Sequence, residues 1–343
     1  WALFQELKTA FDPDWLLNPG QVVGVDAAAV DAGEAPPRAE TVDMTEQLRF
    51  SPDYDLDLGL EPTLDWPEEN GMQGMVELCH GCGGCRGPQE TTGGVMCPTF
   101  RASQEEITAT RGRANMLRQA MSGDLPEDVT DEEFVTEVMD LCIGCKGCKH
   151  DCPSGVDMAK LKAEVVHAYH DEHGLSVRDR LFAGIEPLSR VGSALAPLSN
   201  WATELPGSGW LAEKLVGIHR DRSLPSFHRE TVHDWFTARE GGVAADDAER
   251  RALVLVDTYT NHSNPDVGKA AVRVLEAAGV HVELAEATDS GRPAHSRGML
   301  DHSRATAVEN VEAFEPRIAD GYDVVCVEPS DAVMLQSDYR DLL

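Results

Sequence analysis

The placement of its cysteines constrains this chain more than any other feature. All nine cysteines except Cys326 fall in two short runs. The first run is Cys79, Cys82 and Cys85 with a later Cys97-Pro98, and the second is Cys142, Cys145 and Cys148 with Cys152-Pro153. No segment of the sequence has the pattern of a secretion signal. Such tight spacing therefore indicates metal binding rather than a disulfide framework.

The second run has the spacing of bacterial ferredoxins, in which three cysteines are followed by a fourth and a proline. Three cysteines at this spacing can surround one face of a cubane, whereas the fourth is too close to the third and binds the other cluster. We therefore predict two [4Fe–4S] clusters. The predicted ligands are Cys79, Cys82, Cys85 and Cys152 for cluster one, and Cys142, Cys145, Cys148 and Cys97 for cluster two.

The first run departs from this pattern, because 11 residues rather than three separate Cys85 from Cys97. The exchange of ligands between clusters therefore follows from the pattern for Cys152 and is extended to Cys97 by analogy. A pair of structural zinc sites is the main alternative, although zinc typically takes CxxC pairs rather than triplets. Two disulfide-linked loops are a further alternative. Glycines within both triplets favour clusters, because they let backbone N–H groups approach cluster sulfurs.

The segments around both runs carry positive charge in a strongly acidic chain. The formal net charge is -31, from 60 acidic and 29 basic residues. Residues 79–118 nevertheless carry five Arg and three Glu, and residues 142–162 carry four Lys and two Asp. A cubane held by four thiolates is an anion, so nearby cations stabilise it and favour its reduction. Chance placement is the alternative; the cations to test are Arg111, Arg113, Lys146 and Lys149.

The overall charge also limits the class of partner. A chain of this charge lacks the basic surface that nucleic-acid binding needs. Its acidic residues are spread along the chain and lysine is scarce beside arginine, as in proteins from high-salt cytoplasm, where salt screens self-repulsion. An ordinary acidic protein with a disordered acidic segment is the alternative. No apolar run is long enough to span a membrane, and we expect a cytoplasmic location.

Periodicity and chain breakers divide the sequence into five segments. The predicted boundaries are 1–25, 26–70, 71–174, 175–250 and 251–343. The first is a helix with a turn and a short strand at Val22-Val23, and the second is an acidic extended linker. The third is the mostly helical cluster domain. In it, Thr130 and Glu133 form a predicted capping box for a helix running into Cys142, and Asp157 caps a helix ending near Gly174.

The last two segments differ in character. Segment 175–250 is a connector of helical pieces, which we expect to be broken at Pro187, Pro197, Pro206 and Pro225. Segment 251–343 alternates strands with helices, which implies a parallel sheet. The predicted strands are 251–256, 280–284 and 324–327, and the predicted helices are 266–279 and 298–319. The fold class is thus α+β and multi-domain, with a helical two-cluster ferredoxin-type domain followed by a small α/β domain.

Three weaker signals have ordinary explanations. His167, His170 and His173 lie at the end of a helix, where the helix dipole and solvent explain them better than a metal site does. Cys326 lies in an apolar strand and is expected to be a small buried side chain. The apolar segment 181–215 is expected to pack between domains, and contact with a membrane surface is the second interpretation.

Three groups of residues resemble flavin and iron–sulfur D-2-hydroxyacid dehydrogenases of the D-lactate and D-2-hydroxyglutarate types. The end of an FAD-linked oxidase domain is similar to residues 11–14 and 17–20. The helical ferredoxin module is similar to residues 79–85, 110–115 and 142–148. A cysteine-rich domain related to heterodisulfide reductase is similar to residues 257–261 and 328–330. The resemblance runs nearly end to end and is most specific in the middle group.

This resemblance implies a function for the whole chain. The chain begins at Trp1 without a Met, and we expect it to be part of a longer polypeptide with FAD and the hydride-accepting residues upstream. No catalytic residue is then expected in this chain. Its clusters would relay electrons from reduced FAD to a quinone, an electron-transfer flavoprotein or a ferredoxin, with peripheral membrane contact as a further expectation.

The sequence departs from the family in its last segment. Where the cysteine-rich domain usually has a Cys-Cys-Gly-Arg-Pro run, residues 289–293 are Asp-Ser-Gly-Arg-Pro. Where it has Glu-Pro-Ser-Cys, residues 328–331 are Glu-Pro-Ser-Asp. The soft thiolate donors are absent, so we expect no cluster and no redox disulfide there. The alternative function is a stand-alone iron–sulfur subunit resembling that of anaerobic glycerol-3-phosphate dehydrogenase or heterodisulfide reductase; a non-catalytic zinc scaffold is the third.

Overall fold

A computed structural model describes residues 2–17, 23, 59–67, 70–88, 94–123, 125 and 128–343. The chain divides into two compact units, Trp1–Asp55 and Leu56–Leu343. In the first unit, helix α1 spans Ala2–Phe11, as predicted. Asp12 ends it by accepting hydrogen bonds from the N–H groups of Leu16 and Leu17, both at 2.9 Å. The predicted strand at Val22-Val23 and most of the predicted linker lie outside the described residues.

The first part of the second unit is helical, as predicted. Its helices are α2 (Gly71–Glu77), α3 (Pro98–Ser103), α4 (Thr110–Met121), α5 (Glu132–Phe134), α6 (Gly147–Asp151) and α7 (Met158–His173). Two 3₁₀ turns, Gly84–Arg86 and Glu106–Thr108, lie between them. Their shared core includes Leu117, Met139 and Leu161, all fully buried. Each such side chain contributes about 1.5–3 kcal/mol by leaving water.

Helix α7 forms where its local sequence predicts. The Asp157 carboxylate accepts a hydrogen bond from the N–H of Lys160 at 3.1 Å, and Gly174 follows the last helical residue. Helix α4 depends on a closer contact. A Cβ on Gly112 would lie 2.0 Å from the carbonyl oxygen of Glu106, so only glycine lets the 3₁₀ turn pack against this helix.

The predicted capping box at Thr130 and Glu133 is wrong. The N-cap is Asp131, and its side chain makes no cap hydrogen bond. Its carboxylate instead accepts from the N–H of Asp128 at 2.8 Å, which closes a turn before the helix begins. Helix α5 then widens into a π turn, Val135–Met139. The helix therefore does not run into Cys142, which lies in the loop beyond it.

The connector contains five helices, α8 (Val177–Ala183), α9 (Ile185–Ala194), α10 (Leu198–Glu204), α11 (Ser208–Val216) and α12 (Val232–Ala238). Pro197 and Pro206 lie between helices, as predicted, and Pro225 lies in a segment without regular structure. The predicted break at Pro187 is wrong, because this residue lies in the first turn of α9. A backbone N–H in the first turn has no partner within the helix, so proline loses nothing there.

The last part is an α/β unit with three parallel strands, β1 (Arg250–Leu255), β2 (Val280–Leu284) and β3 (Tyr322–Cys326). The strand order is β2-β1-β3. Its helices are α13 (Thr258–His262), α14 (Pro265–Ala277), α15 (Arg292–Ser296), α16 (Leu300–Ala319), α17 (Pro329–Val333) and α18 (Tyr339–Leu342), with a π turn at Met334–Asp338. The α+β fold class is confirmed. The predicted helix over 298–319 begins at Leu300, after the separate α15.

Alternate residues of β1 build two cores, one on each face of the sheet. Val254 packs with Val272 of α14 and Val232 of α12 on one face. Leu253 and Leu255 pack with Phe314 on the other. A further cluster, including Ala163, Leu300 and Leu342, packs α7 of the helical part against α16 and α18. The sheet is therefore buried on both faces, as parallel sheets usually are.

Candidate iron–sulfur sites

The structure brings the cysteines of the two runs together in two groups of four. The first cavity is lined by Cys79, Cys82, Cys85 and Cys152. The second cavity is lined by Cys97, Cys142, Cys145 and Cys148. Each group thus combines the triplet of one run with the Cys-Pro cysteine of the other, which is the predicted grouping. Thr110 lines both cavities, so the two sites are immediate neighbours.

The two triplets have matching local geometry. Their middle cysteines, Cys82 and Cys145, are exposed, and the third cysteine of each triplet is buried. Gly81 and Gly144 occupy the same position in each triplet, and both have left-handed backbone conformations, with φ of 77° and 65°. Such a φ favours glycine and turns the chain so that successive cysteines face one cavity.

Cys97 reaches the second cavity through an unusual backbone. Its φ of 45° lies in the left-handed region, which is strained for a residue with a side chain. It is the N-cap of α3, and Pro98 is the first helical residue. Its thiol donates to the carbonyl oxygen of Thr108 at 3.2 Å. The surrounding packing therefore holds this cysteine in a conformation that it would not prefer alone.

Two arginines contact the residues of the first cavity, and Arg111 lines it. The N–H of Arg111 donates to Sγ of Cys85 at 3.4 Å, and its guanidinium donates to the carbonyl oxygen of Gly81 at 3.3 Å. The same guanidinium forms an ion pair with Glu106 at 2.8 Å. Arg118 donates to the carbonyl oxygen of Cys79 at 2.8 Å. Burial is the main cause that raises the pKa of the Cys85 thiol.

The cations beside the second cavity are more deeply buried than Arg111 is beside the first. Arg113, which is 1% exposed, lines it. Lys162 donates to the carbonyl oxygen of Cys142 at 2.7 Å. Burial, assisted by the negative charge of Asp157, raises the pKa of the Cys148 thiol to about 12. This thiol therefore keeps its proton at neutral pH unless a metal replaces it.

Of the four predicted cations, three are compensated by carboxylates, because both lysines have acidic partners as Arg111 does. Lys149 lies 3.1 Å from Asp157, and Lys146 forms ion pairs with both Asp157 and Asp338. Burial alone would raise the pKa of Asp157, but the charges of Lys146 and Lys149 outweigh it and lower that pKa. Lys146 still lines the second cavity, whereas Lys149 is not among the residues that line it. Sequence reasoning missed Asp338, which lies in no pattern that would have revealed it, whereas Lys162 belongs to the positive segment 142–162.

The donor arrangement fits a cluster better than a single ion. Among the residues that the structure describes, no three His, Cys, Asp or Glu side chains converge closely enough to hold one metal ion. The sulfurs instead surround two cavities, as four separate iron atoms require. The histidines of α7 have other partners, because His167 contacts the carbonyl oxygen of Gly298 at 3.1 Å and His170 lies 3.4 Å from Asp179.

Residues 289–293 and 328–331, where the resemblance predicted cysteines, meet at the carboxyl edge of the sheet. They line a cavity of about 230 Å³. Ser290 donates from Oγ to a carboxylate oxygen of Asp331, and Asp289 lies beside them in the wall. The donors at this position are thus a hydroxyl and carboxylates. The nearby Cys326 is a half-buried thiol whose pKa burial raises to about 11, as suits an unreactive side chain.

Comparison with known proteins identifies the cysteine-bearing part. Residues 72–156 match the 4Fe-4S dicluster domain. Two [4Fe–4S] clusters are therefore the cofactors that this part of the chain is built to hold. No solved structure matches the chain.

Curated relatives extend the similarity beyond the dicluster segment. D-2-hydroxyglutarate dehydrogenase of Haemophilus influenzae is 22% identical over 100% of this chain and 35% of its own length. The enzyme of the same name from Escherichia coli is 23% identical over 99% and 35%. A subunit of the anaerobic glycerol-3-phosphate dehydrogenase of Escherichia coli is 27% identical over 56% of this chain and 48% of its own length. The chain thus spans about a third of the dehydrogenases that it matches, and the resemblance expected from the sequence is confirmed.

Proposed function

We propose that this chain is the electron-transfer portion of a flavin-dependent D-2-hydroxyacid dehydrogenase. The observation that carries the proposal is the grouping of the cysteines around two cavities that share the wall residue Thr110. Each group supplies the four cysteine thiolates that one [4Fe–4S] cluster needs. Two neighbouring clusters suit electron transfer better than they suit chemistry on a substrate. Electrons would enter from reduced FAD and leave to an external acceptor.

The proposed ligands are those predicted from the spacing. Cluster one would be held by Cys79, Cys82, Cys85 and Cys152, and cluster two by Cys142, Cys145, Cys148 and Cys97. When bound, such clusters accept and release single electrons. The chain's own residues hold the sulfurs apart, supply cations beside them and bury one side of each site. Backbone N–H groups, such as that of Arg111 near Cys85, add hydrogen bonds to the thiolates.

The remaining parts of the proposal concern the whole protein. FAD and the residues that oxidise D-lactate or D-2-hydroxyglutarate would lie in an FAD-linked oxidase domain or partner subunit, and this chain would contribute no catalytic residue. The dehydrogenases named above match this chain over its whole length, which supports this assignment. The alternative is a stand-alone iron–sulfur subunit like that of anaerobic glycerol-3-phosphate dehydrogenase, and that relative matches 56% of the chain.

We further propose the domain division expected from the sequence. Its segments are 1–25 as the end of the oxidase domain, 26–70 as linker, 71–174 as cluster domain, 175–250 as connector and 251–343 as half of a cysteine-rich-type domain. The dicluster match at 72–156 lies inside the proposed cluster domain. The first strand of the sheet begins at Arg250, next to the last proposed boundary.

A quinone, an electron-transfer flavoprotein or a ferredoxin would accept the electrons, in the cytoplasm or at the inner face of the cell membrane. In the part of the chain that the structure describes, no helix is long and apolar enough to cross a membrane. The apolar segment 181–215 was expected to pack between domains. Ser189, Ser193 and Ala196 are buried, whereas Trp201 and Trp210 are 58% and 52% exposed, and α10 and α11 contain no buried residue. This exposed face supports contact with a surface outside the described chain.

The proposal is tested by anaerobic purification of the chain followed by iron and sulfide analysis. We expect about eight irons and eight sulfides per chain, as two cubanes require. The loaded chain should accept electrons from a chemically reduced flavin but show no oxidation of D-lactate or D-2-hydroxyglutarate by itself. Zinc without acid-labile sulfide would select the zinc scaffold instead, and turnover of either hydroxy acid by this chain alone would contradict the relay.

A further inference from the structure

Arg113 is the most deeply buried cation beside either group of cysteines. It extends from α4 into the wall of the second cavity and is 1% exposed. Its Nε donates to the carbonyl oxygen of Val138 at 2.8 Å, and its Nη1 donates to that of Thr108. The third group, Nη2, is buried and has no hydrogen-bond partner. Within the described residues, no carboxylate lies within ion-pair distance of this guanidinium.

An arrangement of this kind is costly unless something else completes it. A buried N–H group on a charged side chain destabilises the fold when it has no acceptor. A buried cation without a counter-charge destabilises it further. The two backbone carbonyl oxygens accept hydrogen bonds from Nε and Nη1, but they do not neutralise the positive charge of the guanidinium. Arg113 lines the second cavity, so an anion held there would supply both a counter-charge and an acceptor.

The first cavity has no equivalent of this residue. Its lining arginine, Arg111, keeps 23% of its side-chain surface exposed and is paired with Glu106 through two hydrogen bonds of 2.8 and 3.1 Å. Water and the carboxylate therefore screen its charge. Among the described residues that line the first cavity, none carries a buried side-chain N–H without a partner. The two sites thus differ in electrostatics although their cysteine loops are alike.

We propose that Arg113 is a positioning residue that selectively raises the reduction potential of cluster two, through its buried charge and the free Nη2–H. The inference rests on the proposed function, because it assumes that the second cavity holds a cubane. Reduction adds one electron to an already anionic group, so a buried cation stabilises the reduced form more than the oxidised form. Cluster two would therefore hold a shared electron for a larger fraction of the time than it would without the charge of Arg113.

The test compares R113Q, R113K and the unchanged chain, each loaded with clusters anaerobically, by potentiometric titration followed by EPR. R113Q removes the charge, whereas R113K keeps it. We expect R113Q to reduce the equilibrium constant for reducing one cluster by about tenfold or more, which is about 59 mV for a one-electron couple. R113K should shift it by less than half of that. The matched control is R180Q, which removes one exposed cation of α8 and should shift neither cluster.

The affected cluster is identified in backgrounds that retain one site. The shift should persist when R113Q is combined with Cys82→Ser, which removes a proposed ligand of cluster one. It should be absent when R113Q is combined with Cys145→Ser. Unchanged potentials in R113Q, equal shifts in both clusters, or a similar shift in R180Q would each overturn the inference.

Two further outcomes are informative. If R113Q fails to assemble the second cluster, R113K gives the answer. An R113K chain that keeps its iron, its sulfide and the potential of cluster two supports the role of charge. Loss of the cluster in both variants shows a purely structural role and overturns the inference. Failure of the proposed function is distinguishable from these results, because the unchanged chain would then lack iron and sulfide. Clusters that are present but insensitive to residue 113 would contradict this inference alone.

Discussion

Arg292 donates from Nη2 to the backbone carbonyl oxygen of Gly144 at 2.8 Å. The bond joins the first turn of α15 in the α/β part to the loop that carries the second cysteine triplet. The other nitrogen of the same guanidinium, Nη1, lies 3.0 Å from Asp338, which also pairs with Lys146. Asp338 is 1% exposed, so one buried carboxylate holds a cation from each part. The α/β part therefore supports the loop of the proposed cluster two, although residues 289–293 and 328–331 contain no cysteine.

Removing this carboxylate should destabilise the chain strongly. Asp338→Asn leaves Arg292 without its carboxylate and Lys146 with only the longer pair to Asp157 at 3.9 Å. Breaking a buried ion pair from one side costs about 3–5 kcal/mol. Denaturant unfolding of the loaded chain, followed by tryptophan fluorescence, measures the loss. The matched control is Asp221→Asn, which breaks the exposed pair with His219 and should change stability by less than about 0.5 kcal/mol. Equal effects of the two substitutions would show that Asp338 does not support the loop.

Serine substitutions should separate the two proposed clusters. Cys82→Ser and Cys145→Ser each remove one thiolate ligand, and each variant should lose one EPR signal and about half of its iron and sulfide. Both cysteines are exposed, so each substitution removes a thiolate ligand without disturbing the packing of the core. Cys326→Ser is the control and should retain both signals. Full iron and sulfide in both triplet variants would refute the ligand assignment.

The close approach at Gly112 should prove essential for the second site. A methyl group there meets the carbonyl oxygen of Glu106, and the 3₁₀ turn that moves also carries the Thr108 carbonyl bonded to Cys97 and Arg113. Gly112→Ala should therefore cost about 1–3 kcal/mol, as overpacking does, and lower the occupancy of cluster two. Met116→Leu in the same helix conserves volume and is the control. Unchanged cluster content in Gly112→Ala would contradict the arrangement.

Asp331 should make stability depend on pH. Burial raises its pKa to about 6, against the lowering effect of the hydrogen bond from Ser290. The folded state therefore binds this proton more tightly than the unfolded state, whose carboxyl has an ordinary pKa of about 4. As pH rises from about 4 to about 6, this residue's contribution to stability falls, and above that range a constant penalty remains.

Asp331→Asn should remove that penalty. The variant should be more stable than the unchanged chain by about 1–3 kcal/mol at pH 8, and the gain should vanish near pH 4. Denaturant unfolding at the two pH values measures the difference. Asp301→Asn, at an exposed position of α16, is the control and should show no such dependence. A gain that is equal at both pH values would mean that the carboxyl does not titrate in this range.

The exposed face of the connector should bind vesicles if the proposed membrane contact exists. Trp201→Ser and Trp210→Ser each remove an aromatic side chain that insertion would bury, so each should weaken binding by about tenfold. Flotation with vesicles of the host's lipid composition measures this. Val274→Ser, at a comparably exposed position on α14, is the control. Wild-type chain that does not float would exclude the membrane and leave a protein partner for this face.

Sequence patterns predicted the features that depend on near neighbours. The apolar runs of the three strands, the helix capped by Asp157 and its end at Gly174 were all predicted, because periodicity and capping act over one or two turns. The predicted cap at Thr130 was wrong, because the carboxylate of Asp131 closes a turn just before the helix begins. The predicted helix break at Pro187 was wrong, because this proline lies in the first turn of α9. Periodicity could not distinguish a helix interior from a first turn.

The cysteine spacing by itself predicted the kind of cofactor and the grouping of the triplets, because three thiols at fixed intervals have few ways to share one cubane. Only the tertiary structure decided which of the cations near those sites are paired with carboxylates. The sequence suggested that the charge of Lys146 is available to a cluster, but Asp338, which is distant in sequence, pairs with it. Arg113, in contrast, has no carboxylate partner among the described residues. Charge compensation depends on separations of a few ångströms between segments that are far apart in the chain, and local sequence does not encode those separations.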